Sequence, residues 1–157
     1  MNAASQGGAT PRLPYVSTLQ ALRARDRVAP RNGGAPRLDL SSLAGSWVNT
    51  ETRRRWLASI DLRDEGGRLH IHPRGGDAPS PADWGEREAE MVCATAADSS
   101  EAGGCVATFA LPSMRAELQA TLNQGLLVVV SFNRTNDPEA APGHVAREFF
   151  RRTGERR

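Results

Sequence analysis

The chain contains no lysine. All 20 of its basic residues are arginine, and with 18 acidic residues and neutral histidines the formal net charge is +2. The two charge signs are interleaved, and no basic strip alternates with aromatic side chains as on nucleic-acid-binding surfaces. We therefore expect no nucleic-acid partner.

Long apolar runs are also missing. No stretch of about 18 apolar residues is present, so we expect no membrane-spanning helix and no membrane partner. Residues 1–14 lack a basic segment followed by an apolar one, as a secretory signal would have. These absences predict a cytoplasmic protein. Phosphate loops, nucleophile elbows and metal-binding strings are absent too, so no cofactor is expected.

Cysteine occurs only at Cys93 and Cys105. The two residues flank a short loop on strands that should be neighbours, so a disulfide between them is geometrically plausible. Closing that loop would contribute roughly 3 kcal/mol in the chain-entropy description. The alternative is a pair of buried free thiols, the usual state of cysteine in the cytoplasm. Two cysteines without further ligands on their face predict no metal site.

Residues 1–37 are rich in glycine, proline, alanine and arginine and poor in large apolar side chains. Such a segment cannot bury enough surface to offset its ordering entropy, so we expect a flexible N-terminal extension. Within it, Leu19, Leu22 and Val28 fall near helical spacing. Residues 17–28 are therefore expected to form a short helix or a tail that docks on the domain.

Residues 38–157 have the sequence pattern of an all-β domain, in which short segments of alternating apolar and polar residues are separated by Gly, Pro, Asn and Asp. Near-sequential hairpins favour an eight-stranded antiparallel up-and-down β-barrel, which removes edge strands; a two-sheet sandwich is the alternative. Eight strands are predicted, at about 45–50, 55–63, 68–73, 84–95, 105–111, 114–122, 126–133 and 145–152.

Hairpin turns indicate which side chains face inward. A two-residue turn at Pro112-Ser113 pairs Phe109 with Ala116, and a three-residue turn at 123–125 pairs Leu118 with Val130. A one-residue slip would turn each apolar row outward, so the pattern specifies the register strongly. The predicted inner wall consists of Trp47, Asn49, Trp56, Ala58, Met91, Phe109, Met114, Leu118, Val130 and Phe132.

The motif Gly45-Ser46-Trp47 is similar to the Gly-x-Trp signature that opens the first strand of lipocalins, and Gly45-Ser46-Trp47-Val48-Asn49 resembles the Gly-x-Trp-x-Asn of avidins. Both families belong to the calycin superfamily of eight-stranded ligand-binding barrels. With Asp83-Trp84-Gly85 and Arg147-Glu148-Phe149-Phe150, the pattern also looks like small bacterial calycin-like proteins.

This resemblance implies that Asn49 faces a ligand pocket and that Arg147 or Arg151 packs over Trp47. The later tryptophans of an avidin pocket have no counterparts here, since the chain has only three tryptophans. Biotin is therefore not the expected ligand.

Two residues of the motif carry open alternatives. Trp47 either plugs the closed end of the barrel or contacts a ligand. Asn49 would be costly to bury without a partner, so it bonds either the backbone or a ligand.

His70 and His72 share a strand face, but that face is the outer one and places Asp61 opposite His70. A solvated pair is the better interpretation of these histidines than a metal site.

The predicted inner wall is apolar and contains two methionines, which adapt to irregular shapes. It therefore predicts binding of a small hydrophobic or polycyclic metabolite. One alternative is a cofactor-independent cyclase or isomerase working in the same cavity by positioning alone. A third reading is a barrel filled by its own side chains. The strand at 126–133 is apolar on both faces, which predicts a homodimer through its outer face.

Overall fold

A computed structural model of the chain describes residues 38–93, 101–137, 139 and 142–154. The extension predicted over 1–37 and its short helix at 17–28 lie outside these residues. Within the described part, no helix is long and apolar enough to cross a membrane. The strands are β1 (Gly45–Asn49), β2 (Leu57–Asp64), β3 (Leu69–Gly75), β4 (Arg87–Cys93), β5 (Ala102–Ala110), β6 (Met114–Asn123), β7 (Leu126–Thr135) and β8 (His144–Arg152).

The eight strands form one closed antiparallel barrel in sequence order. Closure is made by β8 pairing with β1, where Arg152 lies opposite Trp47 and Phe150 opposite Asn49. The predicted eight-stranded up-and-down barrel is confirmed, and the sandwich alternative is wrong. Each strand has two neighbours, so the barrel has no unpaired edge that could recruit another chain.

The registers of two hairpins keep the predicted inward faces. In β5–β6, Phe109 lies opposite Ala116 and Ala107 opposite Leu118, as predicted. The β2–β3 turn is shorter than the predicted four residues, because Gly66 and Gly67 alone form it, both with positive φ. That difference shifts the pairing by two residues, and a shift of two leaves every side chain on its predicted face.

The predicted register of β6–β7 is wrong by one residue. Gln124 and Gly125 form a two-residue turn with φ values of 50° and 79°, which suits the right-handed twist of a hairpin. Leu118 therefore lies opposite Ser131 rather than Val130. Val130 and Phe132 consequently face outward, and the prediction that they line the interior is wrong.

A bulge at the start of β2 corrects a second interior position. The β2–β3 register shifts between Leu57 and Ser59, which turns Leu57 into the core, where it is completely buried. Ala58, predicted to face inward, is only half-buried and does not belong to the core cluster.

The predicted pairing of the two cysteines is also wrong. Cys105 lies opposite Met91, while a register shift after Val92 brings Cys93 opposite Ala102. Both thiols are free, Cys93 exposed and Cys105 buried. Burial raises the pKa of the Cys105 thiol to about 12. Neither the disulfide nor the pair of buried thiols is therefore found.

The interior of the barrel is filled by its own side chains. A void large enough for water would leave accessible surface on the side chains around it. Eight large apolar residues of the described strands, distributed around the barrel, have 0 % of their surface accessible to solvent. All of them belong to one continuous apolar cluster. The deep interior is thus packed like an ordinary protein core. These residues are Leu57, Ile60, Leu69, Ile71, Phe109, Leu118, Leu127 and Phe150.

Candidate functional site

One end of the barrel is closed by Trp47. Its side chain is only 2 % exposed, and its indole Nε1 donates to the carbonyl of Leu43 at 2.9 Å. The guanidinium of Arg152 lies 4.9 Å from the ring centroid, because Arg152 is the residue opposite Trp47 in β8. The expectation that Arg147 or Arg151 takes this place is therefore wrong. Trp47 acts as the end plug.

Asn49 lies one step further into the barrel and is fully engaged by the chain itself. Its Nδ2 donates to the carbonyl of Leu57 at 2.7 Å and to Glu148 Oε1 at 2.9 Å. Its Oδ1 accepts from the backbone N–H of Glu51 at 2.9 Å. Of the two alternatives for Asn49, a bond to the backbone or a bond to a ligand, the structure shows the bond to the backbone.

Glu148 is an interior carboxylate that the sequence analysis did not single out. It accepts hydrogen bonds from the backbone N–H of Trp56 at 2.6 Å and of Leu57 at 3.1 Å. Burial raises the pKa of Glu148, while these hydrogen bonds, the one from Asn49 and the charge of Arg55 lower it in part. The carboxylate thus fastens the start of β2 to β8. The signal for its inward position is its two-residue spacing from the buried Phe150.

A polar network occupies the opposite, open end of the barrel. Trp56 Nε1 donates to Asn133 Oδ1 at 2.9 Å, and Asn133 Nδ2 donates to Ser131 Oγ at 2.9 Å. Asn133 and Ser131 are buried, in the inward positions that the predicted register assigned to Phe132 and Val130. The His144 ring meets the Trp56 ring edge-to-face, with centroids 4.3 Å apart.

Next to this network lies an open cleft of about 500 Å³, here called the mouth cleft. It combines cationic, aromatic and small apolar side chains. Of the predicted ligand-contacting residues, Trp56 lines it, at the point where the interior meets solvent. The lining residues are Arg54, Arg55, Trp56, Asp77, Ala78, His144 and Ala146.

The arginines of the mouth cleft are held by the backbone of their loop. The N–H of Arg55 donates to Asp77 Oδ2 at 3.0 Å, and the N–H of Asp77 returns a bond to the carbonyl of Arg55 at 2.9 Å. Arg54 adopts a positive φ of 55°, a conformation that costs energy for a residue with a side chain. Gly76 permits the backbone after β3 to approach the backbone of Arg55 closely, since a Cβ at residue 76 would lie 2.4 Å from the Arg55 carbonyl oxygen.

The remaining predicted ligand contacts lie away from the mouth cleft lining. Phe109, Met114 and Leu118 are buried in the core, and Met91 packs against it. Val130 and Phe132 lie on the outer surface. Most of the residues predicted to line a ligand cavity therefore lie inside the barrel, where they fill one another's space, as the third of the sequence-based interpretations allowed.

The histidines of β3 lie on the outer face, as predicted. His72 bonds Asp83 at 2.7 Å and lies opposite Asp61, rather than His70. His70 lies 3.5 Å from Glu86. Among the described residues, no group of three or more His, Cys, Asp and Glu could hold a metal ion.

Comparison with known proteins finds no family model, no curated relative and no solved structure that matches this chain. The family resemblance consequently rests on the closed eight-stranded barrel and on the motif that begins at Gly45.

Proposed function

We propose that the protein binds a small molecule in the mouth cleft, at the open end of a calycin-like barrel. The observation that carries this proposal is a cleft of about 500 Å³ at the edge of a filled interior. Ligand sites of small-molecule-binding proteins commonly have volumes of about 300–1,000 Å³. Binding deep in the barrel would require the core to be repacked, whereas binding at the mouth requires no such change.

The lining supports a ligand with a flat apolar part. The Trp56 indole is anchored by its bond to Asn133 and by its edge contact with His144, so it presents a rigid surface. Ala78 and Ala146 leave room beside it because their side chains are small. This arrangement favours a planar hydrophobic or polycyclic molecule. A cyclase or isomerase role gains no comparable support, because the interior carboxylate of Glu148 already accepts hydrogen bonds from the chain.

The proposal is tested by NMR titration of the ¹⁵N-labelled protein with a set of soluble planar ring compounds. We expect the indole N–H signal of Trp56 and the backbone signals of His144 and Ala146 to move with ligand concentration. The indole N–H of Trp47 serves as the internal control, because it is buried at the closed end.

A cleft-filling variant completes this test. Ala146→Trp should abolish the titration while leaving the unfolding transition similar, because Ala146 borders the cleft without being part of the core cluster. Signals that move at Trp47 or Leu118 instead of Trp56, or binding that persists in Ala146→Trp, would contradict the proposal.

We also propose that two copies of the chain associate through the outer face of β7 and β8. Phe132, Val145 and Phe149 are 40 %, 62 % and 39 % exposed there, and they adjoin Val128 and Val130 on the same face. This set is called the outer strip. Contiguous exposed apolar surface of this kind is typical of interaction sites.

The charges beside the outer strip favour a second copy as its partner. Glu117 flanks Phe132 on the β6 side, while Arg147 lies between Val145 and Phe149 on β8. A two-fold axis along β7 brings Glu117 of one copy towards Arg147 of the other. Such self-complementarity is what an isologous interface requires.

Native mass spectrometry and sedimentation at high micromolar protein concentration test the dimer. We expect the wild-type chain to be dimeric and Val145→Asp to be monomeric, because the substitution places a charge in the strip. Val92→Asp is the matched control, since Val92 is 38 % exposed but lies on β4. A monomeric wild type, or a Val145→Asp variant that stays dimeric, would refute this interface.

A further inference from the structure

The side chain of Arg55 carries a donor that the protein leaves unused. Its Nε is buried and has no hydrogen-bond partner among the described residues. Buried polar groups in native proteins are almost always paired, and an unpaired charged donor is especially costly. Because other atoms of Arg55 line the mouth cleft, a rotation of this side chain towards the cleft would let a ligand there offer the acceptor that the donor lacks.

The charges around the cleft add a second observation. Two arginines line it, but no carboxylate among the described residues lies within 4.0 Å of the guanidinium of Arg54 or Arg55. The carboxylate in the lining, Asp77, accepts from the backbone N–H of Arg55. Glu148, whose carboxylate interacts electrostatically with Arg55, is held by the N–H groups of Trp56 and Leu57. Two arginines against one carboxylate give the lining an excess of positive charge.

The loop also fixes the backbone that carries these arginines before any ligand arrives. Arg54 has a positive φ, and Arg55 is clamped by reciprocal backbone bonds with Asp77. Strained residues persist where the surrounding structure over-determines them, and they cluster at ligand-binding sites. Preorganisation of this kind increases affinity because less ordering is required on binding.

We infer that the mouth cleft binds a planar aromatic or polycyclic carboxylate, with the ring against Trp56 and the carboxylate on Arg55 and Arg54. A guanidinium matches a carboxylate in shape and charge, and charge-assisted bonds between them are stronger than neutral ones. The inference rests on the proposed function and specifies the class of ligand.

The test compares two probes that share a ring and differ in charge, 1-naphthoate and 1-naphthamide. Each is titrated at pH 7 into the ¹⁵N-labelled wild-type chain, and the signals of the Trp56 indole N–H and the Arg55 Nε–H are followed. We expect naphthoate to bind about tenfold more tightly or better, and a tenfold ratio corresponds to about 1.4 kcal/mol. The Arg55 signal should move with naphthoate and much less with naphthamide.

Two variants separate the role of Arg55 from that of general positive charge. Arg55→Gln should bind both probes with similar affinity, because the buried donor and the guanidinium are gone. Arg53→Gln removes the same charge from the same loop, but Arg53 is not among the lining residues, so it should keep the preference for naphthoate. Loss of the preference in both variants would show that long-range charge alone is responsible and would overturn the inference.

Further outcomes distinguish this inference from the proposed function. Equal binding of both probes at Trp56 in the wild-type chain would overturn the carboxylate class and leave the mouth cleft as a binding site. Failure of both probes to move the Trp56 signal would count against the proposed function itself. If acetate or inorganic phosphate moves the Arg55 signal as strongly as naphthoate does, the site is a simple anion site and the planar requirement is wrong.

Discussion

Replacing Trp47 by alanine is expected to lower the free energy of unfolding by about 3–5 kcal/mol, the usual cost of deleting a buried tryptophan. The side chain is 2 % exposed and packs in the apolar cluster at the closed end of the barrel. Since small proteins have total stabilities of about 5–15 kcal/mol, such a loss is a large fraction of the whole. Urea unfolding followed by circular dichroism measures the change.

Two further variants divide the contribution of Trp47 into its parts. Trp47→Phe keeps most of the apolar contact but leaves the carbonyl of Leu43 without its indole donor, which should cost about 1–2 kcal/mol in total. Arg152→Gln removes the cation above the ring, worth about 0.5–1 kcal/mol at a partly exposed site. The same substitution also removes the hydrogen bonds that Arg152 donates to the carbonyls of Ser41 and Ser42, so its loss is an upper bound for the cation–ring contact. A loss below about 1 kcal/mol in Trp47→Ala would mean that the end plug adds little to the core.

The closed end and the mouth cleft should respond independently to substitution. If Trp47 contacted a ligand, Trp47→Phe would reduce the free energy of ligand binding by at least as much as it reduces the free energy of unfolding. Since Trp47 and the mouth cleft lie at opposite ends of the barrel, Trp47→Phe should bind 1-naphthoate as the wild type does. The same variant thus separates the two roles that the Gly-x-Trp motif allowed for its tryptophan.

The order of the strands and the closure of the barrel were predictable because turn residues separate the alternating segments. Pro112-Ser113 and Gly66-Gly67 mark two hairpins, and neighbouring apolar faces have to meet across them. An error of two residues in the β2–β3 pairing did not matter, because side-chain direction repeats every two residues. Fold class therefore depends on a pattern that tolerates small errors in the turn.

The open end was less predictable, because a one-residue error in a turn exchanges the two faces of a strand. β7 is apolar on both faces, so its hydrophobic pattern did not discriminate between registers. The register is instead set by the turn, which Gln124 shortens to two residues by adopting a positive φ. In the resulting register Ser131 and Asn133 point inward, and the polar network around Trp56 is a direct consequence.

Bulges account for the differences between the predicted and observed positions of Ala58 and Cys93. Packing accounts for the remaining difference, which is the absence of the predicted ligand cavity from the deep interior of the described barrel. The shift beside Ala58 in β2 lies opposite Gly75, and the shift at Cys93 in β4 lies opposite Gly103 and Gly104. These glycines are the sequence signal of the two bulges, and the predicted pairing did not take them into account. That the inner wall fills its own space depends on the dimensions of the closed barrel, which strand patterning alone does not supply.

Removing the carboxylate of Glu148 is expected to have the second largest effect on stability. Glu148→Ala leaves the backbone N–H groups of Trp56 and Leu57 without their acceptor. Each unsatisfied buried group costs about 1–3 kcal/mol, and because these groups are only partly buried we expect a total loss of about 2–3 kcal/mol. The loop that carries Arg54 and Arg55 adjoins this attachment, so binding of 1-naphthoate should weaken in the same variant.

Glu148→Gln tests the charge separately from the hydrogen bonds. Its amide oxygen can still accept from Asn49 and from the Trp56 N–H, whereas its amide nitrogen faces the N–H of Leu57 in place of Oε2. We expect a loss smaller than that of the alanine variant. The matched control is Glu88→Gln, because Glu88 pairs with Arg68 on the exposed outer face; its change should stay within about 0.5 kcal/mol.

The pH dependence of the same variant gives an independent test. Because burial raises the pKa of Glu148 above its ordinary value of 4.5, the native state binds this proton more tightly than the unfolded chain does. The group therefore favours the native state fully below pH 4.5, and this contribution is lost as the pH rises through the native pKa. Glutamine does not titrate, so the wild type should lose stability relative to Glu148→Gln across that interval and keep a constant difference above it. A stability difference that instead grows in favour of the wild type over this interval would mean that the hydrogen bonds to the carboxylate outweigh its desolvation. The carboxylate would then be held by the loop in its charged form from acidic pH upward.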